Sequence, residues 1–250
     1  MTREAAAQFD PLASLYEDMA TWPFRRDIEI PSTLEAVGDV DGRDVLDFGC
    51  GTGMYARRLK ARGARRVVGY DLADGMLAYA RRRAANDGVD IAFTSELTPD
   101  LDAQFDVVLA VYVLPYAQTR DELGRMCADM LRPLRPGGRL VALPIHPRYE
   151  PRPAYYESYG FRLDPEGEDP YRDGCRVRLD LCCRQHQASV HAWYWSRETL
   201  EACLRQAGAA SVAWRNPHAP SCEGAGRRPA ESLRAYLERP HAALIECRRG

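Results

Sequence analysis

Val45-Leu46-Asp47-Phe48-Gly49-Cys50-Gly51-Thr52-Gly53, running on into Met54-Tyr55-Ala56-Arg57-Arg58-Leu59, is the stretch that decides the fold. Its first part is a short apolar run, the signature of a strand buried on both faces of a parallel sheet. Three glycines follow at alternate positions. An amphipathic segment then begins and stops at Gly63, a residue that suits a helix C-terminus. Strand, glycine turn and helix make a βα unit that cradles a nucleotide. Glycine lets the backbone turn tightly and approach a ligand with no Cβ between them. The new helix aims its free N–H groups at that ligand.

The spacing refines this. A dinucleotide fingerprint reads G-x-G-x-x-G. Here the third glycine, Gly53, comes one position early, and Met54 stands where the last glycine would be. Asp47 closes the strand. A carboxylate there repels a pyrophosphate and suits a ligand carrying an ammonium group.

The pattern of Asp47, Gly49, Gly51 and Gly53 resembles motif I of the class I S-adenosylmethionine (SAM) methyltransferases. The resemblance implies an α/β fold: a doubly wound, Rossmann-like, seven-stranded and mostly parallel sheet whose last strand is antiparallel. It implies SAM as cofactor and S-adenosylhomocysteine (SAH) as product. Around the glycine turn it places Asp47, Gly49, Cys50, Gly51 and Gly53 against the cofactor, with Leu72 and Ala110 at the ends of neighbouring strands. Asp71 lies about 20 positions beyond Gly51, where an acid binds ribose hydroxyls. In the family the position of Met76 packs on adenine, and an acid near the third strand, here Glu96, reaches its amino group. Phe9-Asp10-x-x-Ala13-x-x-Tyr16 is similar to the family's aromatic opening, in which the first aromatic closes over the methyl site and the second reaches the SAM carboxylate. Phe9 carries no hydroxyl for such a role.

The rest of the chain fits one domain, 1–250, in four parts: a helical lid (1–40), a SAM-binding core (41–143), an acceptor-side insertion (144–195) and a C-terminal core (196–250). Apolar residues at helical spacing predict a helix over 5–20 and another over 27–39, with Pro23 ending the first. Asp74 reads as the N-cap of a helix. Thr119-Arg120-Asp121-Glu122 is a capping box. Leu134-Arg135-Pro136-Gly137-Gly138 is a turn into the fifth strand and a further family hallmark. Strands and helices alternate through this region, as a parallel sheet requires. Residues 144–174 break the rhythm with six prolines and interleaved tyrosines. Segments 175–183 and 188–195 alternate as an antiparallel hairpin. Ser196 caps a helix ended by Gly208, and two strands, at 211–214 and 241–247, complete the sheet.

The C-terminal half resembles toxoflavin-type methyltransferases of bacterial natural-product biosynthesis. The resemblance rests on Trp193-Tyr194-Trp195-Ser196-Arg197-Glu198-Thr199-Leu200, Trp214, Ser221-Cys222-Glu223-Gly224 and Tyr236-Leu237-Glu238-Arg239-Pro240. In those enzymes the hairpin and a Ser-Pro-Glu-Gly loop wall the acceptor pocket, and Cys222 replaces the proline here.

Ligands of open α/β sheets bind beyond the carboxyl ends of the strands. That rule puts Tyr112 and Tyr116, after the fourth strand, near the reacting groups. Aromatic walls from Phe9, Tyr16, Trp22, Tyr112, Tyr194 and Trp195 would hold a flat acceptor and favour a cation. A base is needed only where the nucleophile starts protonated. His146, after the fifth strand, is the best candidate, with Tyr112 and Tyr16 as hydroxyl partners; His191 and His218 are weaker. The expected acceptor is a small molecule, with nitrogen ahead of oxygen and carbon on family resemblance. Transfer to RNA or protein, and SAM binding without methyl transfer, remain as alternatives.

Composition narrows the class. Formal net charge is −2 and the only lysine is Lys60, so no basic footprint for nucleic acid is present. No Asn/Asp-Pro-Pro-Tyr motif of nucleic-acid amino methyltransferases occurs. No run is long and apolar enough to span a membrane. The start of the chain has no secretory apolar stretch. The eight cysteines form no C-x-x-C pair, and no cluster has metal-ligand spacing. Reduced thiols in a cytoplasm are the expectation.

Overall fold

The protein was analysed as a computed structural model, which describes residues 6–183, 186–219 and 231–250. The chain enters through a 3-10 turn, Ala7–Leu12, and helix α1, Ala13–Met19. The single helix expected over 5–20 is split in this way because Pro11 brings no N–H to the ladder. The second helix starts earlier than its pattern suggested. A π-helical turn, Arg25–Glu29, feeds α2, Ile30–Val37. Pro31 at the start of α2 removes one backbone donor, and the wider turn swings Arg25 and Glu29 into the interior, where both are buried.

The sheet then builds in the expected order: β1 (Asp44–Phe48), α3 (Met54–Ala61), β2 (Arg66–Tyr70), α4 (Asp74–Asn86), β3 (Ala92–Thr94), β4 (Phe105–Val111), α5 (Arg120–Leu131) and β5 (Leu134–Leu143). Every residue of β1 is buried. Leu46 and Phe48 face one apolar core and Val45 the other, as a central strand covered on both sides must. After an insertion come α6 (Arg197–Gln206), β9 (Ala209–Arg215), α7 (Arg234–Glu238) and β10 (Leu244–Arg249). The seven-stranded order is β3-β2-β1-β4-β5-β10-β9, with β10 antiparallel to both neighbours. Residues 241–243, read from sequence as part of the last strand, precede it and make only an isolated bridge, Ile145 to Ala242.

The caps follow the sequence except at one helix. Thr119 accepts from Glu122 N–H at 3.2 Å while Glu122 accepts from Gln118 N–H at 2.9 Å. Ser196 accepts from Thr199 N–H at 3.3 Å. Asp74 does not cap α4; Ala73 holds that position without a side-chain bond. The Gly75 N–H is taken instead by Asp10 Oδ1, at 2.7 Å, from the N-terminal segment. A Cβ on Gly75 would stand 2.7 Å from Asp10 Cα, so glycine is what allows this approach.

The insertion folds as a second, three-stranded antiparallel sheet, β6 (Phe161–Glu166), β7 (Arg176–Cys183) and β8 (His186–Trp193). The expected hairpin is thus joined by a third strand, with Pro165 tolerated because β6 is an edge. This sheet and the N-terminal segment share an aromatic core that includes Trp22, Phe24, Tyr156, Phe161 and Tyr236.

Candidate cofactor and acceptor site

A cavity of about 370 Å³ opens beyond the carboxyl ends of β1, β2 and β4. Gly49, Cys50, Gly51 and Thr52 form its floor. The three motif glycines all have positive φ, at 72°, 52° and 71°. A Cβ on Gly49 would reach Val113 Cγ2 at 2.5 Å, whereas one on Gly51 would meet nothing within 4 Å. Gly49 is therefore fixed by packing, and Gly51 offers bare backbone to a ligand.

Asp71 lies on the wall with its carboxylate already oriented. Oδ2 accepts from Gly51 N–H at 2.8 Å and Oδ1 from Ala73 N–H at 2.9 Å. With a further bond from Leu72 N–H, three donors hold a carboxylate that can accept about four, so capacity remains for a ligand hydroxyl. Burial pushes this carboxyl up, against the pull of those N–H bonds. Leu72 and Met76 line the same end.

The opposite end is aromatic. Phe9 meets Tyr16 edge-on at 6.1 Å and Tyr116 at 5.0 Å between centroids. The Tyr16 and Tyr116 hydroxyls are hydrogen-bonded to each other. Phe9, Tyr16, Tyr112 and Tyr116 thus meet around one cavity; of the aromatic wall expected from sequence, Trp22, Tyr194 and Trp195 are not part of it.

Several expected contacts lie elsewhere. Asp47, on β1, shares the face of Val45 and points at α3 rather than into the cavity. There it accepts from Ala56 N–H, in the first turn of a helix whose N-cap, Gly53, has no side chain to offer. Asp47 Oδ2 has no hydrogen-bond partner, and burial followed by the charge of Asp71 pushes the carboxyl up to about 7. Gly53 faces Phe93 and Ala80. Ala110 is sealed in the core, its neighbour Val111 taking the wall. Glu96 is exposed on a loop folded over Thr94. Trp22 and Tyr194 are core residues of the insertion, and the Tyr194 hydroxyl donates to Pro147 O at 2.9 Å. Trp195 is buried in the main core, donating to Ala117 O at 3.1 Å. These three large aromatics are consumed by packing. The Ser221–Gly224 loop lies outside the described residues.

His146 is the clearest correction. Its Nδ1 accepts from Arg148 N–H at 2.9 Å, so Nε2 carries the proton and donates to Asn216 Oδ1 at 3.0 Å. The basic nitrogen is occupied, burial lowers the ring below its usual value, and the residue is not on the cavity wall. His191 and His218 pair with Glu166 and Glu35.

A buried polar chain that the sequence did not announce runs behind Tyr112. Arg25 lines the cavity and its Nε lies 2.8 Å from Glu29 Oε1; both residues are buried. The Tyr112 hydroxyl donates to Glu29 Oε2. With its one proton so used, Tyr112 must accept from His241 Nε2, at 2.9 Å. That fixes the tautomer, so His241 Nδ1 accepts from the Tyr236 hydroxyl at 3.0 Å. His241 is neutral: burial first, then the charge of Arg25, pushes it down to about 3. Tyr112 itself has φ of 57°, a left-handed conformation costly for a non-glycine residue. Its N–H is held by Leu143 O at 3.0 Å. The signal available in sequence was an Arg-x-x-x-Glu pair, hidden among the neighbouring charges of Arg26 and Asp27; His241 had none, since it reads as strand.

A methyltransferase-domain profile matches residues 45–138, the stretch from β1 into β5. Over 218 residues, 85% of both chains, the protein is 31% identical to a demethylmenaquinone methyltransferase of Clavibacter sepedonicus. The chain belongs to the class I SAM-dependent methyltransferases. It is 29% identical over 194 residues to the ubiquinone/menaquinone biosynthesis C-methyltransferase UbiE of Salmonella paratyphi B, covering 74% of this chain and 73% of that one. A SAM-dependent methyltransferase from Mesorhizobium loti superposes with a TM-score of 0.59 at 22% identity, over 88% of this chain and 97% of the other.

The cavity of this methyltransferase fits the cofactor. Gly51 leaves an open cradle, Asp71 is held beside it on the cavity wall as a hydrogen-bond acceptor, and Arg25 is a buried cation facing the cavity. Among the described residues no His/Cys/Asp/Glu group could hold a metal, and no helix is long and apolar enough to cross a membrane.

Proposed function

We propose that this methyltransferase acts on a small, flat acceptor held between Phe9, Tyr16, Tyr112 and Tyr116. The observation that carries the reading is the cavity itself: one wall is built for a nucleoside, and the other is a cluster of aromatic rings. In this reading Asp71 takes the ribose hydroxyls, Leu72 and Met76 flank adenine, and Arg25 with Tyr16 takes the amino-acid carboxylate. Asp47 supports the turn from behind. SAM supplies a methyl group on a sulfonium, whose positive charge disappears as the new bond forms. The protein's task is alignment, an effect worth about 7–11 kcal/mol in ideal cases. The aromatic faces favour the cation.

The resemblance to toxoflavin-type enzymes favours nitrogen as the acceptor atom in secondary metabolism. Two relatives are named for quinone chemistry, a demethylmenaquinone methyltransferase and a ubiquinone/menaquinone biosynthesis C-methyltransferase, while a third, matching 43% of this chain, is a ribosomal protein L11 methyltransferase. The buried chain at Tyr112 supports a hydroxyl-bearing aromatic acceptor, methylated at carbon or oxygen, over an amine that reacts as the free base.

Native mass spectrometry tests the proposal. The protein should bind SAM and SAH, and a panel of hydroxyaromatics, quinols and aromatic amines should yield at least one product heavier by one methylene. Cofactor binding with no gain across the panel would rule out the acceptor class.

A further inference from the structure

The methyltransferase reading leaves one buried assembly without a task. Tyr236, His241, Tyr112 and Glu29 are joined in a single donor-to-acceptor direction that ends on the Glu29 carboxylate, and Arg25 faces that carboxylate from the other side as its ion-pair partner. The arrangement satisfies Tyr112 and both ring nitrogens of His241, leaves Glu29 Oε1 without a hydrogen bond, and ends on a carboxylate that can accept a proton.

We infer that Tyr112 is a catalytic residue that removes the hydroxyl proton of an aromatic acceptor and passes its own proton to Glu29. This rests on the small-acceptor reading above. The geometry supplies the route. Tyr112 lines the cavity and is partly open to it, whereas Glu29 and His241 do not reach the wall. The phenol oxygen donates once, to Glu29, and accepts once, from His241. One lone pair remains for a proton from the acceptor.

The step balances. The acceptor O–H bond breaks, its electron pair staying on the acceptor oxygen, and a new O–H bond forms at Tyr112. The original Tyr112 proton moves to Glu29 Oε2, so a carboxylate becomes a carboxylic acid beside Arg25. The electron pair released into the ring forms the bond to the methyl carbon, while the carbon–sulfur pair stays with sulfur. No tyrosinate accumulates. Burial, then the charge of Glu29, keeps the resting Tyr112 phenol well above its ordinary value.

His241 cannot take the proton, because Nδ1 is filled by Tyr236 and Nε2 already carries a hydrogen. It is a positioning residue that holds the Tyr112 oxygen toward Glu29. Arg25 and Tyr55 are the other groups near this assembly that bear on the charge of Glu29. Tyr112 holds this place on the cavity wall in a left-handed backbone conformation, which is costly for a non-glycine residue.

The test uses SAH-loaded protein and 1-naphthol, whose neutral and ionised forms absorb differently. Bound naphthol should ionise at a pH at least one unit lower than in buffer. Tyr112→Phe should bind SAH unchanged yet return the naphthol titration to its solution position. Glu29→Gln should do the same; because it leaves Arg25 unbalanced, His241→Asn serves as a second variant that moves the titration only partly. In turnover, Tyr112→Phe should slow hydroxyaromatics by about 10²-fold or more, in the general-base range. Electron-poor naphthols, ionised before they bind, should be largely spared. A titration equal in wild type and Tyr112→Phe, no binding of naphthol, or an equal loss for acidic and ordinary naphthols would overturn the inference. Failure to bind SAH in calorimetry would instead overturn the cofactor assignment.

Discussion

Replacing Asp47 by Asn should stabilise the ligand-free protein, and increasingly so as pH rises. The carboxyl is 2% exposed, one oxygen lacks a partner, and its value is pushed up to about 7. In the unfolded chain the same group titrates near 3.9. Between those values the native state holds a proton that the unfolded state has lost, so stability falls as pH rises through the window and levels off above it. From pH 5 to 8.5 the loss spans about two units, or about 2.7 kcal/mol. For a chain of this size that is roughly 5–11 °C in Tm. Asn keeps an oxygen for the Ala56 N–H and removes the ionisation. Thermal melts of both proteins at the two pH values should therefore show the Asn variant pulling ahead by that margin at pH 8.5. A gap that stays constant to within about 2 °C would refute the argument, and with it the placement of Asp47 as an uncompensated carboxylate behind the turn.

Asp71→Ala should weaken SAM binding by about tenfold or more, about 1.4 kcal/mol, in calorimetry; unchanged affinity would remove its ribose role. His146→Ala should leave both SAM affinity and turnover near wild type, because its basic nitrogen already serves Arg148; a large loss of turnover at unchanged SAM affinity would restore it as the base. Gly75→Ala should gain up to about 1 kcal/mol of helix propensity in α4 yet push Asp10 away across a 2.7 Å approach. Hydrogen exchange should then show residues 6–19 less protected while the core keeps its protection, and an unaltered pattern would count against the Asp10 bond.

The sheet was legible because its signals are local. A buried strand, a glycine turn and a capped helix each leave a mark within ten residues, as at Val45–Gly53 and Thr119–Glu122. Asp71 was legible for the same reason, since strand and turn fix its distance from Gly51. The acceptor side was harder because large aromatics serve packing and recognition alike. Trp22, Tyr194 and Trp195 carry the right chemistry, but the three-stranded sheet uses them as core. Phe9 and Tyr116 carry similar chemistry and face the cavity. Asp47 shows the limit of motif reading. Its position was right, but strand alternation sends its side chain to the helix rather than the ligand. His241 and Glu29 were invisible because their meaning lies in a partner more than 80 positions away, at Tyr112.

That long reach has a consequence for how the enzyme comes into being. Residues 45–113 hold the glycine turn, Asp71, Met76 and Tyr112, and they leave the ribosome early. His241 and the antiparallel β10 that inserts between β5 and β9 come last. The glycine turn and Tyr112 are therefore made well before synthesis ends, yet Tyr112 gains its His241 partner only when the final strand enters between two others. Pairings of such sequence separation are slow to form. The order of synthesis thus makes the last hydrogen-bond partner of Tyr112 one of the last groups to reach its place, next to the strand that completes the sheet.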